Sequence, residues 1–198
     1  MTIDEEKRTT LRKFAAVGAG SPLLGLAEGE ERESDARDAI AGYVETTPGA
    51  HFSKIRDDLT LATGETQYHL RRLTSNDELE VCRDGDYKRY FSAGQFSRFE
   101  QRALGYLRRS TPRAMLLALL EEPTLTGASL AENVGVSPAT ISNYAGEMAE
   151  AGLLDRQDGY HVSNPETVIS LLLRYAPSFD GETKTFARKA ATLFTYDP

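Results

Sequence analysis

The sequence predicts a mostly α chain with small β-wings, laid out as two tandem helix–turn–helix units with a C-terminal helical extension. Two stretches carry that expectation. Residues 62–91, ATGETQYHLRRLTSNDELEVCRDGDYKRYF, join a polar helix start and apolar residues at helical spacing to an alternating hairpin with Asp-Gly at its tip. Residues 137–162, SPATISNYAGEMAEAGLLDRQDGYHV, repeat the plan at low sequence identity. Aligning Leu70 with Ala145 and Leu73 with Met148 brings both hairpins into register.

The first unit is expected to begin at Ser34, a good N-cap, with Asp35 and Asp38 in the first turn where the helix dipole favours carboxylates. Ala36, Ile40, Tyr43 and Val44 follow at helical spacing, and Pro48-Gly49 ends the helix. A short helix capped by Ser53 then points Ile55 and Leu59 inward. A tight turn leads to a second helix from about Thr63, with Thr66, Leu70 and Leu73 on its buried face. ELEVCR and YKRYF alternate in period two around Asp84-Gly85-Asp86. Helix, helix–turn–helix and hairpin, in that order, make a winged helix.

Residues 95–110 read as a connector helix, with Phe96, Phe99, Ala103 and Tyr106 or Leu107 on one stripe, and a dimer helix is the alternative. In the second unit Thr111-Pro112 opens a helix through Met115, Leu116, Leu119 and Leu120, and Pro123 follows its end. Thr126 or Gly127 starts GASLAENVG, and Ser137-Pro138 combines an N-cap with proline at the first helical position. Ile141, Ala145 and Met148 form the inner stripe, Gly152 ends the helix, and Asp158-Gly159 tips the wing. Asn164-Pro165 caps a helix burying Val168, Leu171, Leu172 and Tyr175. From Asp180 a last amphipathic helix carries Phe186, Ala190 and Leu193 or Phe194, serving either dimerisation or packing on its own domain. The partition is thus 1–33 N-terminal segment and linker, 34–94 first winged helix, 95–110 connector, 111–176 second winged helix, and 177–198 C-terminal helix.

Residues 8–27 place basic residues before the apolar run 14–27, which is short of the roughly 20 residues a membrane span needs and is interrupted by Pro22. The paired arginines of a twin-arginine signal are missing, since Lys13 follows Arg12. A short packing helix before the charged linker EGEERESD is expected, with a peripheral membrane anchor as the alternative.

Net charge is −7, with 30 acidic against 23 basic residues, so nucleic acid would be met by a local basic patch. Lys is scarce beside Arg, and acidic, Lys-poor chains are typical of salt-loving organisms. The single Cys82 excludes an internal disulfide and fits a reducing cytoplasm. It reads as a semi-buried strand residue, with redox sensing the alternative. His51, His69 and His161 lack metal-ligand spacing, and no phosphate loop, nucleophile elbow or catalytic carboxylate pair is present. His69, beside Tyr68, reads as an interface or cap hydrogen-bonder. No metal, cofactor, small-molecule ligand or catalytic activity is expected.

TPGAHFSKIRDDLTLATGETQYHLRRL followed by DGDYKRYF resembles the first domain of the tandem winged-helix transcriptional regulators common in haloarchaea. Residues 124–179, beginning TLTGASLAENVGVSPATISNYAGEM, resemble their second domain. The likeness covers roughly residues 34–180. The helix–turn–helix portion is also similar to bacterial regulators of the multiple-antibiotic-resistance and arsenic-repressor type. The resemblance implies a cytoplasmic, dimeric regulator of transcription that binds double-stranded DNA.

In that geometry the helix from Thr63 enters the major groove. Its outward residues are Thr63, Gly64, Glu65, Gln67, Tyr68 and Arg71, of which Gln67 suits adenine and Arg71 guanine or a phosphate. Gly64 allows close backbone approach, and Arg72, Arg83, Lys88 and Arg89 suit phosphates. In the second copy Thr140, Ser142 and Asn143 take the equivalent places, but 137–160 holds one basic residue, Arg156, against Glu147, Glu150, Asp155 and Asp158. That unit is therefore expected to serve dimerisation, protein interaction or effector sensing, with direct DNA contact the alternative. The rival for the whole chain is a protein–protein adaptor that uses its winged helices without sequence-specific DNA binding.

Overall fold

The first helix, α1 (Glu28–Thr46), starts upstream of the expected Ser34 cap. The run EGEERESD is thus helix rather than linker, because Glu and Arg are strong helix formers and carboxylates suit the positive end of the helix dipole. The computed structural model describes residues 28–193, and side chains from Asp35 to Ala190. The expectations for 1–27, a packing helix or a membrane anchor, lie outside the described residues, as does Phe194. No helix among the described residues is long and apolar enough to cross a membrane. The chain divides into two compact units, with the boundary between Phe96 and Ser97.

In the first unit Ala36, Ile40, Tyr43 and Val44 of α1 are all buried, as their spacing requires. The chain turns through Gly49 at φ 79° into a two-residue strand, β1 (Ala50–His51), followed directly by α2 (Phe52–Leu59). The cap of α2 is His51 rather than the expected Ser53: its Nδ1 accepts the Lys54 N–H at 3.3 Å. Thr60 closes α2 in the left-handed region, and α3 (Thr63–Ser75) begins three residues on. The wing is β2 (Leu79–Asp84) and β3 (Tyr87–Ser92), joined at Gly85-Asp86 with Gly85 at φ 57°. The sheet order is β1-β3-β2, all antiparallel. Ile55, Leu59, Leu70, Leu73, Leu79 and Tyr90 close one core beneath α1. Phe91 stacks obliquely on Phe96, with ring centroids 5.6 Å apart.

The second unit opens with α4 (Arg98–Leu107), capped reciprocally by Ser97 and Glu100. The predicted stripe is thus divided: Ala103 and Leu107 are fully buried in α4, Phe99 is half-buried, and Phe96 belongs to the first unit. The helices α5 (Ser110–Glu121), α6 (Gly127–Val134) and α7 (Pro138–Glu150) follow in the expected order. Thr126 caps α6 and Ser137 caps α7. Ile141, Ala145 and Met148 are buried. The wing here is minimal, with β4 (Leu154–Asp155) paired to β5 (His161–Val162) and Asp158 and Gly159 at positive φ in its tip. Asn164 occupies the cap position of α8 (Pro165–Arg174) but makes no side-chain cap bond. Asp180 caps α9 (Gly181–Leu193), accepting from the Thr183 N–H at 2.9 Å. α9 packs on α8, and Phe186 and Ala190 are buried there.

Candidate nucleic-acid interface

The core-facing side of α3 consists of Thr66, His69, Leu70 and Leu73. His69 was expected at an interface or cap, but it sits on this buried face at 3% exposure, edge-on to the Tyr68 ring at 5.1 Å. The Thr66 hydroxyl, with no water to meet, donates to the Ala62 carbonyl at 2.9 Å. Glu65 and Thr74 are half-buried, and the exposed residues of the helix fall mainly in two adjoining stripes. Thr63, Gln67 and Arg71, at i, i+4 and i+8, line a cleft between α3 and the wing. Gly64, Tyr68 and Arg72 form a second stripe turned further from the wing.

The cleft encloses about 740 Å³. Its wing side carries Val81, Arg83, Tyr87, Lys88 and Tyr90, and its floor is Leu70 and Thr74. The structure therefore brings Thr63, Gln67, Arg71, Arg83 and Lys88 together around one concavity. It does not bring Gly64, Tyr68 and Arg72 there. Tyr68 is half exposed, and its hydroxyl accepts from Arg72 Nη1 at 3.1 Å. A Cβ at Gly64 would meet nothing within 4 Å, so that backbone is open to an approaching surface.

Two predicted site residues are placed otherwise. Glu65 is half-buried and folds back on its own helix end, where its carboxylate accepts the Ala62 N–H at 3.3 Å. That is the return half of a capping box, in which the carboxylate three residues into the helix takes up the N–H of the cap residue. Arg89 is the larger correction. Its residue is only 2% exposed, its Nε donates to the Asp84 carboxylate, and its Nη1 donates to the Gly49 carbonyl at 3.0 Å. A guanidinium so enclosed is not presented to phosphate.

Residue-by-residue reading missed Val81 and Tyr87, both exposed large side chains beside the cleft. The signal was present for Val81, since period two places it on the face of Arg83. Tyr87 packs its ring against His51 at 5.1 Å, a contact made through β1, which the sequence did not announce. Burial, then the charges of Arg89 and Lys54, lower the His51 pKa below its usual 6.5, which keeps Nδ1 free to accept the cap bond.

In the second unit the equivalent helix, α7, exposes Ser142 and Asn143. Thr140 is less available than expected: it is half-buried, with its hydroxyl 2.9 Å from the Ser137 hydroxyl. Glu147 pairs with Arg109 at 3.2 Å. Arg156, the one basic residue of 137–160, is exposed, with its Nη1 3.6 Å from where a Cβ on Gly146 would sit. Among the described residues no group of three or more His, Cys, Asp or Glu is placed to hold a metal ion.

Known domain families place this geometry. A family described as an N-terminal HTH domain matches residues 34–104, and one described as winged helix-turn-helix DNA-binding matches residues 108–155. This is a tandem winged helix–turn–helix protein. Two such domains support a DNA-binding regulator of transcription. No curated protein matches the sequence of this tandem winged-helix chain.

Proposed function

We propose that the protein is a sequence-specific, DNA-binding transcriptional regulator whose first unit reads the major groove with α3. One observation carries the reading: Thr63, Gln67 and Arg71 share a single cleft with Arg83 and Lys88. Amide and guanidinium groups on an exposed helix face suit base edges, and cations on an adjoining hairpin suit the flanking phosphates. Gly64, Tyr68 and Arg72 extend the contact along the second stripe. The protein works in the cytoplasm as a homodimer without a cofactor or catalytic activity. Its acidic, Lys-poor composition fits an archaeal, halophilic setting, where excess carboxylate keeps a chain soluble.

The second unit serves dimerisation, protein interaction or effector sensing. Across 137–160 the single cation Arg156 is outnumbered by Glu147, Glu150, Asp155 and Asp158, so phosphate is repelled rather than gathered. Selection of bound duplexes from a random pool, followed by gel shifts at several salt concentrations, tests the first unit. R71A/R72A/R83A/K88A is expected to abolish the shift, and a quadruple variant that binds like wild type refutes the reading. For the second unit, S142A/N143A is expected to leave affinity within about twofold, because each good base contact is worth about 1–3 kcal/mol and none is assigned there. A tenfold loss would make α7 a second reading helix.

A further inference from the structure

We infer that Arg89 is the positioning residue of the first wing: from behind the hairpin it holds the face on which Arg83 and Lys88 are offered to phosphate. The inference rests on the reading of the first unit as the DNA-binding head. The strand register supplies the geometry. Arg83 lies opposite Lys88, Asp84 opposite Tyr87, and Cys82 opposite Arg89. Opposed residues share a face and neighbours alternate, so Arg83 and Lys88 occupy one face of the hairpin. Cys82, Asp84, Tyr87 and Arg89 alternate onto the other, with Tyr87, at the strand end, also reaching the edge of the cleft.

The hairpin needs support where Arg89 stands. Strand β1 pairs with β3 only at Ala50↔Tyr90 and His51↔Arg89. Beyond that point the segment 83–88 has only its own two strands, and an isolated two-stranded hairpin is marginal in water. Arg89 sits at the last three-stranded position and ties three pieces of chain together. Its Nε bonds Asp84 on the neighbouring strand, and its Nη1 bonds the Gly49 carbonyl in the turn that leaves α1. The Tyr87 ring centroid lies 5.5 Å from the guanidinium carbon on the same face. A lysine could not make these divergent bonds, because its ammonium is a single point rather than a planar fork. Burying a paired charge is a poor route to stability alone, so the arrangement is read as fixing the geometry of the wing.

The test uses R89M/D84L, which removes both charges so that neither is left buried alone, with R89K as a second variant that keeps the charge but not the fork. Binding of a duplex selected with the wild-type chain is followed from 50 to 200 mM salt. The slope of log K against log salt is expected to fall by about 1.8 in R89M/D84L, the share of two phosphates at roughly 0.9 each, with a smaller fall in the same direction in R89K. R83A/K88A should remove the same 1.8 from the wild type and almost nothing further from R89M/D84L. A merely structural effect on the amount of folded protein would shift affinity at every salt concentration and leave both slopes alone. Wild-type slopes in R89M/D84L and R89K, or a full additional loss on removing Arg83 and Lys88, would overturn the inference. Should R89M/D84L not fold, R89K carries the same comparison. A wild-type chain that binds no duplex at low salt refutes the DNA-binding reading itself, a distinct result.

Discussion

Replacing Arg72, Arg83 and Lys88 together by Gln removes the cations assigned to phosphate while leaving the core untouched. All three residues are exposed in the first unit, and Arg83 and Lys88 share the cleft face of the wing. Each phosphate neutralised contributes roughly 0.9 to the slope of log K against log salt, so three contribute about 2.7. Over a fourfold rise in salt, from 50 to 200 mM, that share amounts to about 40-fold in affinity, which the wild type should lose and the triple variant should not. Had Arg89 also met a phosphate, the slope share would be about 3.6 and the loss about 150-fold. Fluorescence anisotropy of a labelled duplex from the selected pool measures the slope directly. Exposed substitutions of this kind shift stability by no more than about 0.5 kcal/mol, which a melting curve would confirm. An unchanged slope in R72Q/R83Q/K88Q would refute the assignment of these residues to phosphate.

Three further outcomes follow from the packing and the caps. Leu73→Ala empties a fully buried site under α3 and should cost the first unit about 2–5 kcal/mol in denaturant unfolding. Ser137→Ala removes the hydroxyl that accepts the Thr140 N–H at 3.1 Å and should cost the second unit about 1 kcal/mol by the same measurement. His51 titrates in the folded state below its ordinary 6.5, so between those two values the unfolded chain binds more protons and stability rises with pH. Acidification from pH 6.5 through the lowered value should therefore weaken the first unit, and His51→Gln should remove that part of the pH dependence in unfolding titrations.

Much of the helical plan was legible because its signals are local. The stripe Ala36, Ile40, Tyr43, Val44 and the stripe Ile141, Ala145, Met148 were readable from 3.6-residue spacing, and both are buried. Ser137-Pro138 announced α7 with cap and first-turn residue side by side. The start of α1 was misplaced because Ser34 is an attractive cap, yet nothing in the Glu-rich run upstream breaks a helix. Ser53 fits the general preference for hydroxyl caps, yet His51 is the residue that caps α2. The deciding bond needs His51 to be held extended, as its place in β1 requires.

The candidate site divides in the same way. Period three-and-four spacing on α3 separates Thr66, Leu70 and Leu73 from Gln67, Tyr68 and Arg71, whereas it is the strand register that sets Arg83 opposite Lys88 on one face of the wing. What a single side chain does with its charge is not periodic. Glu65 turned back to the backbone N–H of Ala62, and Thr140 was drawn into the cap of its own helix.

From the sequence alone came the tandem plan, the two helix–turn–helix units, the buried stripes and the charge contrast between the copies. These depend on residue type and on spacings of a few positions. Tertiary structure alone decided that Arg89 faces inward while Lys88 beside it faces out, and that Tyr87 meets His51. Both outcomes turn on the third strand, and the Arg89 bond reaches a carbonyl 40 residues earlier in the chain, beyond the reach of any local pattern.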